Sequence, residues 1–430
     1  MRLLIVSHSF PPAATPASLR ILEFAKHLSS LGWSVDVLCP ALLSYSRMDT
    51  ALLKAVPDLV TVHRRYFFDV SYFHRVIKAN NPSNASGGGD VKPGVARRLK
   101  NFMLFPDVYC TWIPFIIAYG LELYLRKRFQ IIFATGDPWS VVYGASILAK
   151  RLRLPLVSDF RELWSGHSHR SNSSHISRCK IYESRVLRRS RLVIANSPLE
   201  LAALKASFTA VPPVEFISLE NGFCATEVQK AAESTPYRRR EIFTVFYAGS
   251  FGYRKPDAFL IAFRWLLDRY RDLANNIRFV VAGLVEERVS RLLQELKLES
   301  NVEILGFQPR SRTMELIVSS DLLLSIVGTA INQASDPTVP AKMYEYAAAG
   351  RPILLLAKPG GATRFLHGIG GYGAVADNED SEQILLRLDA LYSRFQANDL
   401  PSMCDVRVSR YTRSRIAREL SGELQKILAS

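Results

Sequence analysis

The sequence is poor in cysteine, has no long apolar run and shows no excess of glycine or proline. Its 23 glycines and 22 prolines in 430 residues are close to average usage, which excludes a collagen-like or low-complexity chain. Its five cysteines form no Cys-x-x-Cys pair, so they predict neither a disulfide framework nor a zinc site and favour a reducing compartment. The cysteines are Cys39, Cys110, Cys179, Cys224 and Cys404.

The lack of a long apolar run bears on membranes. His8 ends the N-terminal apolar run, which makes that run too short for the core of a signal peptide. The best candidate for a membrane span, residues 109–125, is broken by Pro114 and Glu122 and therefore predicts a buried or interfacial helix. We expect a cytoplasmic protein, with peripheral attachment to the inner face of the cytoplasmic membrane left open.

Positive charge is in excess. Basic residues outnumber acidic ones by 55 to 39, which gives a formal net charge of +16 and favours a nucleoside diphosphate, a nucleic acid or an anionic membrane surface as partner. Two arginine clusters carry much of this charge, and they lack the aromatic interleaving typical of single-stranded nucleic acid binding. They predict a solvated face, with anionic lipid as the alternative, and no nucleic-acid partner. The clusters contain Arg185, Arg188, Arg189, Arg191, Arg407, Arg410, Arg413, Arg415 and Arg418.

Short aliphatic runs alternate with helical patterns along most of the chain. Such runs are typical of parallel strands covered on both faces, and their alternation with helices predicts an α/β fold with doubly wound sheets. In the first half the runs are at residues 3–6, 35–38, 131–134, 156–158 and 192–195. In the second half they are at residues 243–248, 277–282, 302–305, 322–326 and 353–356.

The length and the two sets of strands predict two domains. We expect an N-terminal domain over residues 1–235 and a C-terminal domain over residues 236–404. Residues 405–430 are expected to form a helix that packs back on the first domain. Because open parallel sheets bind ligands beyond the carboxyl ends of their strands, we expect the functional site in a cleft between the domains.

The most informative stretch is VPAKMYEYAAAGRP, residues 339–352. Pro340 suits the first turn of a helix, and the N–H groups around Ala341 can bind phosphate with Lys342 beside them. Glu345 lies three residues after Lys342 on roughly the same face, where its carboxylate can accept hydrogen bonds from a ribose diol. We interpret the pair as a clamp for a nucleoside diphosphate. The alternative is a solvated ion pair between Lys342 and Glu345 on an ordinary amphipathic helix.

A second stretch, YAGSFGYRKP at residues 247–256, opens from a predicted strand into a glycine-rich loop. Gly249 lets the backbone approach an anion beside Ser250. Arg254 and Lys255 can neutralise a diphosphate and stabilise a departing nucleotide. The alternative is a loop with two solvent-facing cations.

Several residues of the first domain are candidates for the acceptor side. Asp159, Arg161 and Glu162 follow a predicted strand, where a carboxylate can position an acceptor and guide its hydroxyl proton. Asp137 is a weaker candidate of the same kind, and His8 lies just beyond the first strand. The alternatives are a helix N-cap for Asp159 and a structural role for His8.

Five motifs occur in order along nearly the whole chain: HSFPP, DFRELW, ISLENGF, YAGSF and PAKMYEYAAAGRP. Together they resemble glycosyltransferase family 4. The resemblance implies the GT-B fold, in which an N-terminal Rossmann-like domain for the acceptor faces a C-terminal one for the nucleotide. It also implies retaining transfer from a nucleotide-diphosphate sugar, with no metal and no cofactor besides that donor.

The family's E-x7-E motif carries roles to individual positions. Glu345 matches the second glutamate of the motif, which implies that it binds ribose. Pro337 stands where the first glutamate is expected, and Asp336 and Asn332 are the candidates to replace it.

Basic positions are carried over in the same way. Arg254 and Lys255 resemble the family's diphosphate-binding cations, although Ser250 replaces the usual first arginine. Arg20 matches the family's common form at the start of the first helix, on the acceptor side. The residues predicted to act in catalysis are Arg254, Lys255, Glu162 and Asp159.

The sequence thus predicts a glycosyltransferase of the hexosyltransferase type. We expect it to move a sugar from a nucleotide-diphosphate sugar to a glycan or lipid-linked acceptor in cell-surface polysaccharide biosynthesis. The alternatives are a nucleotide-sugar 2-epimerase of the same fold and a non-catalytic protein that binds nucleotides or glycans.

Overall fold

The chain divides into two units in its computed structural model, which describes most of the residues of each. Unit 1 contains residues 1–220 and 417–430, and unit 2 contains residues 221–416. The described residues are 1–45, 47–70, 72, 104–166, 173–208, 214–252, 254–328, 336–401 and 406–430. Among them, no helix is both long enough and apolar enough to cross a bilayer.

Unit 1 is built on a parallel sheet. Its described strands are β1 (Arg2–Val6), β2 (Ser34–Pro40), β3 (Val60–Arg65), β4 (Ile131–Gly136), β5 (Leu156–Phe160), β6 (Leu192–Ala195) and β7 (Glu215–Ser218). They pair in the order β3-β2-β1-β4-β5-β6-β7, and every pairing is parallel. The order reverses direction between β1 and β4, which defines a doubly wound sheet and places a ligand-binding edge at that point.

The helices of unit 1 connect these strands. They are α1 (Pro16–Ser30), α2 (Ile113–Lys127), α3 (Trp139–Leu152), α4 (Ser173–Leu187) and α5 (Pro198–Ser207), with short 3-10 turns at Leu42–Ser44, Thr50–Ala55 and Cys110–Trp112. α1 shows how the local sequence sets a boundary. Thr15 caps the helix by accepting a hydrogen bond from the Ser18 N–H at 3.1 Å, and Pro16 occupies its first turn.

Unit 2 is also built on a parallel sheet. Its described strands are β8 (Phe243–Ala248), β9 (Ile277–Ala282), β10 (Val302–Ile304), β11 (Leu322–Ile326), β12 (Ile353–Leu356) and β13 (Gly373–Ala376). They pair in parallel in the order β10-β9-β8-β11-β12-β13. Side chains of β8 alternate between two buried clusters, with Phe243 and Val245 on one face and Phe246 on the other. The sheet is therefore covered on both faces, as its aliphatic strands predict.

The helices of unit 2 complete the second Rossmann-like unit. They are α6 (Ala225–Ser234), α7 (Asp257–Arg269), α8 (Glu287–Glu295), α9 (Arg310–Ser319), α10 (Ala341–Ala348), α11 (Gly361–Gly368), α12 (Ser381–Gln396) and α13 (Val406–Ser409), with a 3-10 turn at Arg271–Asn276. A last helix, α14 (Arg413–Ala429), begins in unit 2 and ends in unit 1. Two doubly wound units of parallel strands confirm the predicted fold class, whereas a cleft between them stays a prediction.

The division of the chain differs from the expected boundary at residues 235 and 236. Residues 221–235 belong to unit 2 because α6 packs against α9 and α10. An ion pair of 2.8 Å between Glu227 Oε2 and Arg310 Nη2 ties α6 to α9.

The C-terminal segment also differs from its prediction in one respect. It is two helices, α13 and α14, where one helix was expected. Its predicted apolar face is buried, and it contains Ile416, Leu420, Leu424 and Ile427. Residues 417–430 count with unit 1, where Trp33 Nε1 donates a hydrogen bond of 2.9 Å to Ser421 Oγ.

Candidate active site

The candidate nucleotide site of unit 2 begins where β8 ends. The Ala248 N–H donates to the Tyr346 hydroxyl of α10 at 2.9 Å, and the Gly249 N–H donates to the Ala282 carbonyl of β9 at 2.8 Å. Gly249 has φ +122°, a conformation that favours glycine, and a Cβ there would lie 3.4 Å from Lys342 Nζ. The structure therefore brings the backbone of Gly249 and the ammonium group of Lys342 together, as the two motifs predict.

Lys342 is held in an unusual electrostatic environment. Its half-buried ammonium group lies 3.7 Å from the centroid of the Tyr247 ring, a cation–π contact. Burial, followed by the like charge of Arg254, holds the pKa of Lys342 well below its usual value, although Glu345 opposes the shift. Two cations that repel each other beside a glycine turn are the arrangement that an incoming diphosphate would stabilise.

The rest of the glycine-rich loop is fixed by its own hydrogen bonds. Ser250 Oγ accepts from the Leu284 N–H at 3.3 Å, and Glu286 Oε1 accepts from the Gly252 N–H at 2.8 Å. Arg254 is half-buried near Lys342, whereas Lys255 is exposed. Within the described part of the loop the structure does not bring Lys255 to Lys342, so a diphosphate contact by Lys255 stays a prediction.

The residues before α10 are only partly described. Ala341 is the first residue of the helix, and Asn332 lies outside the described residues. Asp336 Oδ1 accepts a hydrogen bond of 2.9 Å from the Thr338 N–H, and the Asp336 carbonyl accepts one of 2.8 Å from the Gly361 N–H. The Asp336 carboxylate thus caps its own loop, and its role as a substitute for the missing glutamate stays a prediction.

Glu345 is buried and ion-paired, which makes the alternative of a solvated pair with Lys342 wrong. Its Oε1 lies 2.6 Å from Arg310 Nη2 and 3.5 Å from Arg413 Nη2. Burial raises the pKa of Glu345, but Arg310, followed by Arg413 and Lys342, more than offsets this effect, so its pKa is lowered overall. The carboxylate is therefore ionised and fixed at one oxygen.

The partners of Glu345 were not predicted from the sequence. Arg310 and Glu227 carried no motif, and Arg413 was placed on a solvated face. This interpretation is wrong for Arg413, whose side chain is 4% exposed. A separation of 68 residues between Glu345 and Arg413 leaves no local signal for such a contact.

In unit 1, Asp159 is part of the fold rather than of an accessible site. It lies inside β5 and is fully buried, with Oδ1 2.8 Å from Arg20 Nη2 and Oδ2 3.2 Å from Arg20 Nε. Thr135 Oγ1 donates a third hydrogen bond to Oδ2 at 2.8 Å. This burial favours a structural role, and contact of Asp159 with an acceptor stays a prediction, whereas its alternative as a helix N-cap is wrong.

Arg20 shares this structural role. Its side chain is 2% exposed, and besides Asp159 it donates to the backbone carbonyls of Leu219 at 2.9 Å and Glu220 at 2.8 Å. Arg20 therefore links α1 and β5 to Leu219 and Glu220, the last residues of unit 1 before the chain enters unit 2. These contacts favour a structural role for Arg20, and its contact with an acceptor stays a prediction.

The other acceptor-side candidates lie at the carboxyl ends of β4 and β5. Arg161 Nε donates to the Gly136 carbonyl at 3.0 Å, and its Nη2 lies 3.4 Å from Asp137 Oδ1. Asp137 and Glu162 are both exposed. The structure thus brings Arg161 and Asp137 together at the edge where a doubly wound sheet binds ligands, and Glu162 follows Arg161 in the chain.

His8 lies among aromatic rings. Its ring centroid is 4.2 Å from that of Tyr109, 6.0 Å from that of Trp112 and 6.2 Å from that of Tyr45, and the residue is 8% exposed. This packing favours the structural role, and contact of His8 with a ligand stays a prediction. Among the described residues, no group of three or more His, Cys, Asp or Glu side chains is placed to hold a metal ion.

Two doubly wound parallel sheets in one chain are the architecture of the GT-B fold. Residues 17–222 match the family model described as a glycosyl transferase 4-like domain, and residues 229–398 match the model described as glycosyl transferases group 1. The two matches together cover most of the chain. The chain belongs to glycosyltransferase family 4 and is a glycosyltransferase, which confirms the resemblance of its motifs.

Solved structures of the same fold cover the chain along nearly all of its length. Sucrose-phosphate synthase from Thermosynechococcus elongatus has a TM-score of 0.68 at 13% identity, over 100% of this chain and 99% of that one. HepE from Anabaena, in complex with UDP and glucose, has a TM-score of 0.66 at 16% identity, over 99% and 100%. UDP-GlcNAc 2-epimerase from Neisseria meningitidis has a TM-score of 0.60 at 12% identity, over 99% and 100%. A search of curated protein sequences finds no significant match.

Proposed function

We propose that this glycosyltransferase takes its sugar from a nucleotide-diphosphate sugar bound to unit 2. The observation that carries the proposal is the position of two cations, Lys342 and Arg254, beside the turn at Gly249. The ionised carboxylate of Glu345 lies one helical turn from Lys342. The two cations can neutralise a diphosphate that approaches the Gly249 turn, and the carboxylate can accept hydrogen bonds from a ribose diol. The complex of the similar protein HepE with UDP and glucose supports the same class of donor.

The proposed reaction is retaining and uses neither a protein nucleophile nor a metal. A bond forms between the acceptor oxygen and the anomeric carbon, on the face from which the nucleoside diphosphate leaves. The bond from that carbon to the β-phosphate oxygen breaks, and the departing phosphate takes the proton of the acceptor hydroxyl. Lys342 and Arg254 stabilise the negative charge that develops on the leaving group, which is where an electrostatic contribution is largest.

The proposed acceptor is a glycan or a lipid-linked sugar. Asp137 and Glu162 offer exposed carboxylates to sugar hydroxyls at the strand ends of unit 1, and Arg161 offers a cation to an acceptor phosphate. The net charge of +16 supports peripheral attachment to the anionic inner face of the cytoplasmic membrane. Such an acceptor belongs to the biosynthesis of cell-surface polysaccharides.

Epimerisation of the donor is the second candidate function. The likeness to UDP-GlcNAc 2-epimerase favours it, because that enzyme shares the fold over nearly the whole chain. A third candidate, binding without turnover, is favoured by Pro337 in place of the first glutamate of the E-x7-E motif.

Incubation with radiolabelled nucleotide sugars and a panel of glycan and lipid-linked acceptors tests the proposal. We expect label in the acceptor, or free sugar from slow hydrolysis of the donor, with the anomeric configuration retained in the product. Conversion of the donor to its 2-epimer would contradict the proposal in favour of the epimerase. Tight donor binding with neither product would contradict it in favour of the non-catalytic protein.

A further inference from the structure

Glu345 belongs to a cluster of four charged side chains within unit 2. Glu227 on α6, Arg310 at the start of α9, Glu345 on α10 and Arg413 at the start of α14 form the cluster. Arg310 Nη2 lies 2.6 Å from Glu345 Oε1 and 2.8 Å from Glu227 Oε2, whereas Arg413 Nη2 lies 3.5 Å from the same Glu345 Oε1. The cluster therefore ties three other helices to the helix of the proposed nucleotide site.

The two arginines share one oxygen of Glu345. In each ion pair the closest oxygen is Oε1. A carboxylate held at Oε1 by two cations has a fixed orientation and stays ionised, and both properties are needed to accept hydrogen bonds from a ribose diol. Lys342, one turn earlier on α10, is the third cation that acts on this carboxylate.

Arg413 and Arg310 differ in the carboxylates with which they form ion pairs. Arg310 divides its guanidinium between Glu345 and Glu227, whereas the ion pair of Arg413 is with Glu345. The Arg413 side chain is 4% exposed, and its buried Nη1 has no hydrogen-bond partner among the described residues. A buried guanidinium with an unpaired nitrogen lowers the free energy of unfolding, so stability alone is a poor explanation for arginine at this position.

The backbone around Arg413 is fixed by pairing of the two ends of unit 2. The Phe223 N–H donates to the Tyr411 carbonyl at 3.0 Å, and the Arg413 N–H donates to the Phe223 carbonyl at 2.9 Å. Gly222 has φ +64°, and a Cβ there would lie 2.4 Å from the Tyr411 carbonyl oxygen, so only glycine permits this approach. The position of the Arg413 guanidinium is therefore set by the segments through which the chain enters and leaves unit 2.

We propose that Arg413 is a positioning residue for donor binding. The paired ends of unit 2 hold its guanidinium so that, with Arg310, it fixes the carboxylate of Glu345 and leaves Oε2 for the ribose of the nucleotide-diphosphate sugar. The proposal rests on the proposed function, because it requires that Glu345 receives the ribose. It adds that the donor site depends on the segment at which the chain leaves unit 2.

The test is the affinity for UDP and GDP, measured by titration calorimetry from acid to neutral pH on the full chain. We expect Arg413→Met to bind the preferred nucleotide roughly 10-fold more weakly at neutral pH. We also expect its affinity to fall at a higher pH than that of the wild type on acidification. The reason is that loss of a positive neighbour raises the pKa of Glu345, and a protonated carboxyl is a poorer acceptor. Arg413→Lys should restore part of the affinity, and Arg418→Met, an exposed position on the same helix, should change neither quantity.

Each outcome bears on one of the two proposals. Wild-type affinity and wild-type acid dependence in Arg413→Met would overturn the positioning role. An equal loss at every pH, with a lowered melting temperature in the absence of nucleotide and no rescue by lysine, would assign Arg413 to folding and also overturn it. If the wild type binds neither nucleotide, the proposed function fails first and takes the role of Arg413 with it.

Discussion

Two carboxylates, Asp159 in unit 1 and Glu345 in unit 2, are both buried and both paired with arginine, yet they differ in what they leave open. Both oxygens of Asp159 are taken, by Arg20 and Thr135, and the residue is inaccessible. In Glu345 the closest oxygen to each of two arginines is Oε1, and its side chain is 9% exposed. We therefore expect a ligand to reach Glu345 and not Asp159.

We expect the substitution with the largest effect to be at Asp159. We expect Asp159→Ala to lower the free energy of unfolding by about 3–5 kcal/mol, because it leaves the buried guanidinium of Arg20 without its partner. Denaturant unfolding measures this effect, with the exposed Asp58→Ala of the same unit as the control. Full stability of Asp159→Ala together with lost transfer would reverse the assignment.

The next largest effect is expected at Glu345. Glu345→Gln should weaken binding of the nucleoside diphosphate roughly 100-fold, because a neutral amide is a poorer acceptor for two ribose hydroxyls than a carboxylate. Titration calorimetry checks this result, and the exposed Glu299→Gln should bind like the wild type. An unchanged affinity would show that Glu345, like Asp159, serves the fold.

A smaller effect is expected at Lys342, with a defined dependence on pH. Lys342→Met should weaken nucleoside diphosphate binding about 10-fold, and Lys230→Met on α6 should leave it unchanged. Because the pKa of Lys342 is lowered, its charge is present at low pH and is lost as pH rises through a value below 10.5. Wild-type affinity should fall over that range with proton uptake on binding, and a flat alkaline profile would argue against a phosphate contact.

The smallest effect is expected at Asp137, whose pairing with Arg161 is exposed. Asp137→Asn should change stability by less than about 1 kcal/mol, because exposed ion pairs contribute little. If the acceptor lies at the strand ends of unit 1, the same change should raise the KM for the acceptor a few-fold and leave the KM for the donor unchanged. Steady-state kinetics with each substrate varied in turn separates the two effects.

Most of the strands that were predicted correctly are covered on both faces, and the outer strand β10 is the exception. β8, β9, β11 and β12 are nearly continuous aliphatic runs, and such runs report burial directly. β3 and β7 were not predicted. They are the outer strands of the unit 1 sheet, where most residues are only half-buried, so their sequences VTVHRR and EFIS carry little apolar signal.

Side-chain contacts were predicted correctly where the signal is local and were missed where the partners are distant in the sequence. Lys342 lies near the Gly249 turn because one motif ends strand β8 and the other begins helix α10. The choice of Arg20 as partner for Asp159, 139 residues away, depends on how α1 packs on the sheet, and no spacing in the sequence encodes it. The same holds for the pairing of Glu345 with Arg413.

A crystal structure of the protein with a bound nucleoside diphosphate would show whether Glu345 receives the ribose. We expect the ribose hydroxyls within hydrogen-bond distance of Glu345 Oε2, with Arg310 and Arg413 still close to Oε1. We also expect the diphosphate to lie against Lys342 and the Gly249 turn. A ribose bound elsewhere, with Glu345 in contact with its two arginines alone, would contradict the proposed ribose contact.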